Sequence, residues 1–176
     1  MRLARRLAAW LNVALVTVLA TGCAPTATQG GMPPVSRVDR ILVDKSDHAM
    51  TVYRADQPLH TFKVALGVGG LAPKVRQGDG RVPEGRYVID GRNPRSAFHL
   101  SLKIGYPTPA QIAAARALGI DPGGDIMIHG LPSGRGAIGA AHRRNDWTAG
   151  CIAVTNDEIE WLWRAVPDGT PIEIRG

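Results

Sequence analysis

The chain has 176 residues, 44% hydrophobic and 20% charged, the make-up of a single soluble globular domain that can bury a core. Its formal charge of +6 falls to 18 basic against 15 acidic side chains once Arg2, Arg5 and Arg6 of the N-terminal leader are set aside. With no basic helix and no interleaving of basic and aromatic residues, the composition argues against nucleic acid as a partner.

Residues 1–22 have the pattern of a secretory signal: a basic start, an apolar run from Leu7 to Ala20, then Thr21 and Gly22. The run is too short and interrupted to span a membrane comfortably. Its end, Leu19-Ala20-Thr21-Gly22-Cys23, resembles a bacterial lipobox, in which Cys23 becomes the lipidated first residue of an exported, membrane-anchored protein. Residues 23–37 are rich in Pro, Gly, Thr and Ser without apolar periodicity, as expected of a flexible tether. The folded domain is then residues 38–176.

Ile41-Leu42-Val43 and Met50-Thr51-Val52-Tyr53 are β-prone runs joined by a polar turn, and Leu59 to Gly67 alternates as a third strand. Together they predict an antiparallel meander with one buried face. The glycine-rich stretch from Gly67 to Gly85 is a long loop. Tyr87-Val88-Ile89 opens a strand, and Ala97 to Leu102 alternates, with Phe98, Leu100 and Leu102 on one face and His99 and Ser101 on the other. That second face makes His99 a candidate for lining a cleft.

Thr108-Pro109 to Leu118-Gly119 has the N-cap, the early proline and the terminal glycine of a helix, with Ile112, Ala115 and Leu118 as its apolar stripe. Thr155 and Glu158 make a capping box for a second helix, whose apolar face is Ile159, Leu162, Trp163 and Val166. This helix is expected to pack behind the strand that follows Cys151. Thr170 to Ile174 is a last short strand.

The chemistry concentrates between Ile126 and Asn156. Ile126-Met127-Ile128 reads as a buried strand delivering His129 to a strand end, where Gly130 lets the backbone turn. Cys151 follows Gly150 and precedes Ile152-Ala153-Val154, a second turn-to-strand junction. A His and a Cys on adjacent strands can form a thiolate–imidazolium pair that activates the sulfur and later protonates a leaving group. Small Ala149 and Gly150 leave room for a carbonyl, and the amides of Gly150 and Cys151 are candidate oxyanion donors. Between the two strands, residues 131–147 form a candidate lid whose arginines, Arg143 among them, suit the carboxylates of a peptide. His129, His142 and Cys151 match no compact metal-binding spacing, so no metal is expected; His142 is instead a candidate substrate contact. Cys23 and Cys151 are the two cysteines, and a disulfide between them would disable both proposed roles.

His129-Gly130 followed by Thr148-Ala149-Gly150-Cys151 resembles the HG and [S/T]-x-G-C signature of the YkuD-type L,D-transpeptidases, peptidoglycan cross-linking enzymes with a cysteine nucleophile. The resemblance covers Val38 to Ile174; Ala149 stands where many members carry His, and Ala153 where Arg or Asn often sits. It implies a mainly β fold with two to three helices and an antiparallel or mixed β-sheet sandwich. It implies Cys151 as nucleophile and His129 as general acid and base, with Gly130, Trp147, Thr148 and Tyr106 near the substrate. The activity implied is acyl transfer from a tetrapeptide stem of peptidoglycan, by a periplasmic monomer that needs no cofactor. Hydrolysis by the same site, attachment of a protein to peptidoglycan, and a wall-binding lipoprotein without turnover are the alternatives.

Overall fold

The computed structural model describes residues 32–176. The leader, Cys23 and most of the tether lie outside the described residues. Strands β1 (Arg40–Asp44), β2 (Ala49–Arg54) and β3 (Gln57–Lys63) form the antiparallel meander that their alternation predicts. Ile41 and Val43 on β1 and Met50 and Val52 on β2 are fully buried, while the residues between them reach the surface. The chain's last strand, β8 (Pro171–Arg175), lies parallel to β1 and sets Ile172 and Ile174 beside Ile41 and Val43.

Strand β4 (Gly85–Ser96) carries the sheet around a corner: Gly85 to Val88 pair with β8, whereas Ile89 to Ser96 pair with β5 (His99–Ile104). Register shifts between Ile89 and Gly91 and between Asn93 and Ser96 are the bulges that let it bend. Then β6 (Met127–His129) runs antiparallel to β5, and β7 (Ile152–Ala153) parallel to β6, giving the order β3-β2-β1-β8-β4-β5-β6-β7.

The two outer strands of this order do not remain open. Past β3, the Ala65 N–H donates to the Ala153 carbonyl at 3.0 Å and the Ala153 N–H to the Ala65 carbonyl at 2.9 Å. The Thr148 N–H donates to Leu66 O at 3.0 Å and the Val68 N–H to Thr148 O at 3.0 Å. The sheet thus curls onto itself, and its exposed edge groups are satisfied by the segment that leads into Cys151.

Helix α1 (Pro109–Ala117) has a capping box between Thr108 and Gln111. Of its expected stripe only Ala115 is buried, with Leu118 72% exposed, because α1 lies on the surface and touches the domain chiefly through Ala115. Helix α2 (Asn156–Ala165) starts at the predicted box, the Thr155 N–H donating to Glu158 Oε2 at 2.8 Å and the Glu158 N–H to Thr155 Oγ1 at 3.3 Å. It packs chiefly against β5 rather than behind the cysteine strand. The fully buried tryptophan is Trp161, 5.7 Å from Phe62, while Trp163 is partly buried with the Arg92 guanidinium 5.0 Å from its ring. A 3-10 segment, Gly136–Arg144, kinks at Gly139. No helix among the described residues is long and apolar enough to cross a membrane.

Candidate active site

His129 closes β6, its register partners being Ser101 on β5 and Ala153 on β7. The next residue has to be glycine: a Cβ at Gly130 would lie 2.8 Å from Asn156 Oδ1 and 3.0 Å from Ile159 Cγ2. Asn156, in the first turn of α2, accepts the Leu131 N–H at 2.9 Å and so fixes the chain leaving His129. His129 Nδ1 is 2.8 Å from the Gly130 carbonyl. A carbonyl only accepts, so Nδ1 carries the proton and Nε2 is left with its lone pair. Rings enclose the imidazole: Phe98 at 4.5 Å and Trp147 at 5.6 Å between centroids.

Cys151 sits at the end of a turn built from both flanks. The Thr148 hydroxyl donates to the Cys151 carbonyl at 2.8 Å and accepts the Gly150 N–H at 3.2 Å. Gly150 has φ +121°, and a Cβ there would come within 2.7 Å of the Arg81 carbonyl. The long loop predicted between Gly67 and Gly85 is packed beneath this turn, with a Cβ at Gly67 reaching within 3.0 Å of Gly150 Cα. Asp79 holds that loop closed. It accepts Lys74 Nζ at 2.9 Å and the N–H groups of Val75, Arg76 and Arg81 at 2.7 to 3.1 Å. Burial alone would raise its pKa, but Lys74 and these amides hold it far below the usual carboxylate range. Buried Lys45 ties the loop to β1, its Nζ donating to Leu71 O and pairing with Glu84, each at 2.7 Å. Asp146 fixes the segment that leads into the loop, accepting the Leu66 N–H at 2.7 Å and His48 Nε2–H, from the β1–β2 turn, at 3.0 Å.

In parallel strands, residues two apart share a face, so Met127, His129, Cys151 and Ala153 project to the same side of β6 and β7. Met127, His129 and Cys151 line one cleft of about 460 Å³, together with Phe98, Asp125 and Trp147. The free thiol of Cys151 donates to the Asp125 carbonyl at 3.5 Å. Burial raises its pKa; the Met127 amide and Lys74 pull the other way, while Asp125 adds to the rise. Burial likewise lowers His129 below its ordinary 6.5, against the Gly130 carbonyl. Desolvation therefore favours a neutral thiol beside a neutral imidazole at rest, not the thiolate–imidazolium pair that the sequence suggests. Among the described residues no group of three or more His, Cys, Asp or Glu side chains is placed to hold a metal ion.

The other sequence candidates divide. Trp147, Thr148 and Ala149 line the cleft. Gly150 does not offer its amide freely, since Thr148 takes it, which leaves the Cys151 amide as the oxyanion candidate. His99 turns away from the cleft and donates to Glu160 at 2.8 Å, because the β4–β5 hairpin turns at Ala97-Phe98 and the strand begins only at His99. Tyr106 belongs to the core: its hydroxyl donates to Pro122 O at 2.9 Å, and burial pushes its pKa up to about 12. Arg143 is committed to Glu158 at 2.6 Å and is no free partner for a substrate carboxylate. His142 is buried and accepts the Trp147 indole N–H at 3.4 Å, so it supports the wall of the cleft without lining it. Sequence reasoning missed Phe98 and Asp125. Phe98 was placed in the core by strand alternation, and only the hairpin turn reverses it; Asp125, just ahead of the histidine strand, was the readable signal.

A family model described as the L,D-transpeptidase catalytic domain (YkuD) matches residues 38–174. The chain is 33% identical over 112 residues to the L,D-transpeptidase candidate YafK of Escherichia coli (strain K12), an alignment covering 62% of this chain and 38% of YafK. The helical cell shape determining protein Pgp2 from Campylobacter jejuni superposes with a TM-score of 0.60 at 23% identity, over 80% of this chain and 48% of Pgp2. Bd1075 of Bdellovibrio bacteriovorus gives 0.55 at 26% identity, again over 80% of this chain and 48% of its own. The chain thus spans about half the length of these relatives or less. Given the match across the whole curled sheet and both strands of the cleft, the chain belongs to the L,D-transpeptidase catalytic domain (YkuD) family.

Proposed function

We propose that this protein is a peptidoglycan L,D-transpeptidase in which Cys151 is the nucleophile and His129 the general acid and base. The observation that carries the reading is the tautomer of His129: Nδ1–H is spent on the Gly130 carbonyl, so the basic Nε2 is kept for the cleft that Cys151 also lines. As the substrate carbonyl enters, the thiol turns from the Asp125 carbonyl and its proton passes to Nε2 while sulfur bonds to the carbonyl carbon of the third residue of a tetrapeptide stem. The Cys151 amide receives the developing oxyanion. The bond to the terminal D-alanine breaks, and the imidazolium returns the proton to the departing amine. The amine of a second stem then attacks the thioester, yields its proton to Nε2, and releases the sulfur, which recovers that proton.

The neutral resting pair fits this sequence, because the charged pair forms only when substrate is present. Water in place of the second amine makes the same site an L,D-carboxypeptidase, and a protein amine makes it an attachment enzyme. Family membership supports a place of action in the bacterial cell wall, outside the cytoplasm. Anchoring through lipidated Cys23 is part of the proposal.

Incubation of the full-length protein with a disaccharide tetrapeptide, read by mass, tests the reading. A cross-linked dimer with loss of D-alanine is the expected product. A tripeptide alone identifies the carboxypeptidase, and recovery of unchanged substrate refutes turnover.

A further inference from the structure

A second pocket, of about 350 Å³, shares no residue with the cleft. It is formed by Arg37, Arg92 and Arg164 with Trp163 and the turn from Ala165 to Pro167, and no carboxylate lines it. Arg92 is committed to the end of α2: its guanidinium donates to Trp163 O at 2.9 Å and to Val166 O, and pairs with Asp168 at 2.6 Å. The Val38 N–H donates to Ala165 O and the Val166 N–H to Leu162 O, each at 2.8 Å. The carbonyls at the negative end of the helix are thus satisfied from within the domain. Arg37 and Arg164 are exposed and have no hydrogen bond or ion pair among the described residues. Carboxylates close to them in the chain are held elsewhere, Asp39 by the Ala55 N–H at 2.6 Å and Glu160, one turn before Arg164, by His99 at 2.8 Å.

The pocket lies where the chain enters the domain. The Trp161 indole N–H donates to Pro33 O at 2.7 Å, and with the Val38 contact this lays residues 33–38 along α2. Pro33 follows Cys23 by ten residues, a length that spans at most about 36 Å however it is arranged. With Cys23 lipidated, the pocket stays within reach of the headgroups of the anchoring membrane. The opposite end of the ten-residue α2, about 15 Å away, carries Asn156, which fixes the chain leaving His129.

Resting on the lipid-anchored reading, we propose that Arg37 and Arg164 bind the phosphate of an anionic phospholipid headgroup in this pocket. Guanidinium groups suit a phosphate because their planar forks match its oxygens. Trp163, partly buried at the same site, suits the membrane–water boundary, which a soluble phosphate does not provide. The contact orients a domain that the anchor already holds at the membrane, with the end of α2 that supports His129 turned away from the bilayer.

The chain from Ala24 onward lacks the leader and Cys23 but keeps every strand, both α-helices and the described core, so it tests headgroup binding without lipidation. Sedimentation with vesicles should show binding when phosphatidylglycerol makes up about a third of the lipid, no binding to phosphatidylcholine alone, and a loss between about 0.1 M and about 0.5 M salt. Arg37→Gln/Arg164→Gln should bind about 25-fold more weakly, about fivefold for each arginine, with an unchanged urea midpoint. Arg116→Gln/Arg144→Gln, which removes the same charge from α1 and the 3-10 segment, should bind nearly as the native chain does. Equal losses in the two double variants, or no binding to the anionic vesicles, overturns the proposal. Saturation by soluble glycerol phosphate without vesicle binding overturns it too, since the phosphate would then come from another source. Should cell fractionation show Cys23 unlipidated, Arg37- and Arg164-dependent vesicle binding would leave the headgroup site standing and refute only the anchor.

Discussion

Acidification should loosen the wall of the cleft through one residue, His142. Burial, with Arg143 nearby, lowers its pKa from the ordinary 6.5 to about 4. Its Nδ1 accepts the Trp147 indole N–H at 3.4 Å, and Trp147 in turn stands 5.6 Å from the His129 ring. An indole N–H cannot accept, so protonating Nδ1 breaks the contact and releases the tryptophan. The sign follows from the depressed value. Above 6.5 the ring is neutral folded and unfolded, and its contribution is complete; as pH falls from 6.5 toward 4 the unfolded chain takes up the proton first, and the contribution is lost. The full difference is on the order of 3 kcal/mol, which solvent screening reduces to about 1–2 kcal/mol. Urea unfolding at about pH 7 and about pH 4.5, for the native sequence and for His142→Gln, isolates this residue because glutamine does not titrate. The native protein should lose about 1–2 kcal/mol more than the variant over that interval. Equal losses in the two proteins would refute the reasoning.

Three further outcomes follow from the geometry. Gly150→Ala, with a Cβ 2.7 Å from Arg81 O and φ +121°, should destabilise the domain by about 2–4 kcal/mol and slow acylation of Cys151 more than tenfold, read by urea unfolding and by intact-protein mass after mixing with tetrapeptide. An unaltered acylation rate would separate that turn from the reaction. His129→Ala should acylate slowly at neutral pH and recover by about tenfold per pH unit until the thiol titrates, because only thiolate then reacts; a flat pH profile would exclude His129 as the base. Cys23→Ser should move the protein from the membrane to the soluble fraction on cell fractionation, whereas a native protein already soluble would rule out the lipid anchor.

Much of the fold was legible because local signals were strong. The alternation of Ile41, Val43, Met50 and Val52, the N-cap at Thr108 and the capping box at Thr155 all appear where the sequence places them. The reactive stretch was legible for another reason: Gly130 and Gly150 sit where a side chain would strike a neighbour, so His129-Gly130 and Gly150-Cys151 are spaced by packing as well as by chemistry. What was not legible depended on partners distant in sequence. Arg143 reads as a free cation until Glu158 is folded beside it, and Tyr106 as an aromatic at a strand end until Pro122 accepts its hydroxyl. His99 and Phe98 exchange roles because a two-residue turn interrupts an alternation that looked continuous. The thiolate–imidazolium pair was suggested by residue types alone, and burial of both groups, which residue types do not show, works against it at rest.

The central claim is that Cys151 carries the acyl group. Intact-protein mass of the full-length chain, quenched in acid within seconds of mixing with tetrapeptide, followed by peptide mapping, tests it most directly. The expected result is an adduct of the tripeptidyl group on the peptide containing Cys151, absent in Cys151→Ala and discharged when an acceptor amine is added. D-Alanine released by Cys151→Ala at the native rate, or an adduct mapped to any other residue, would contradict it.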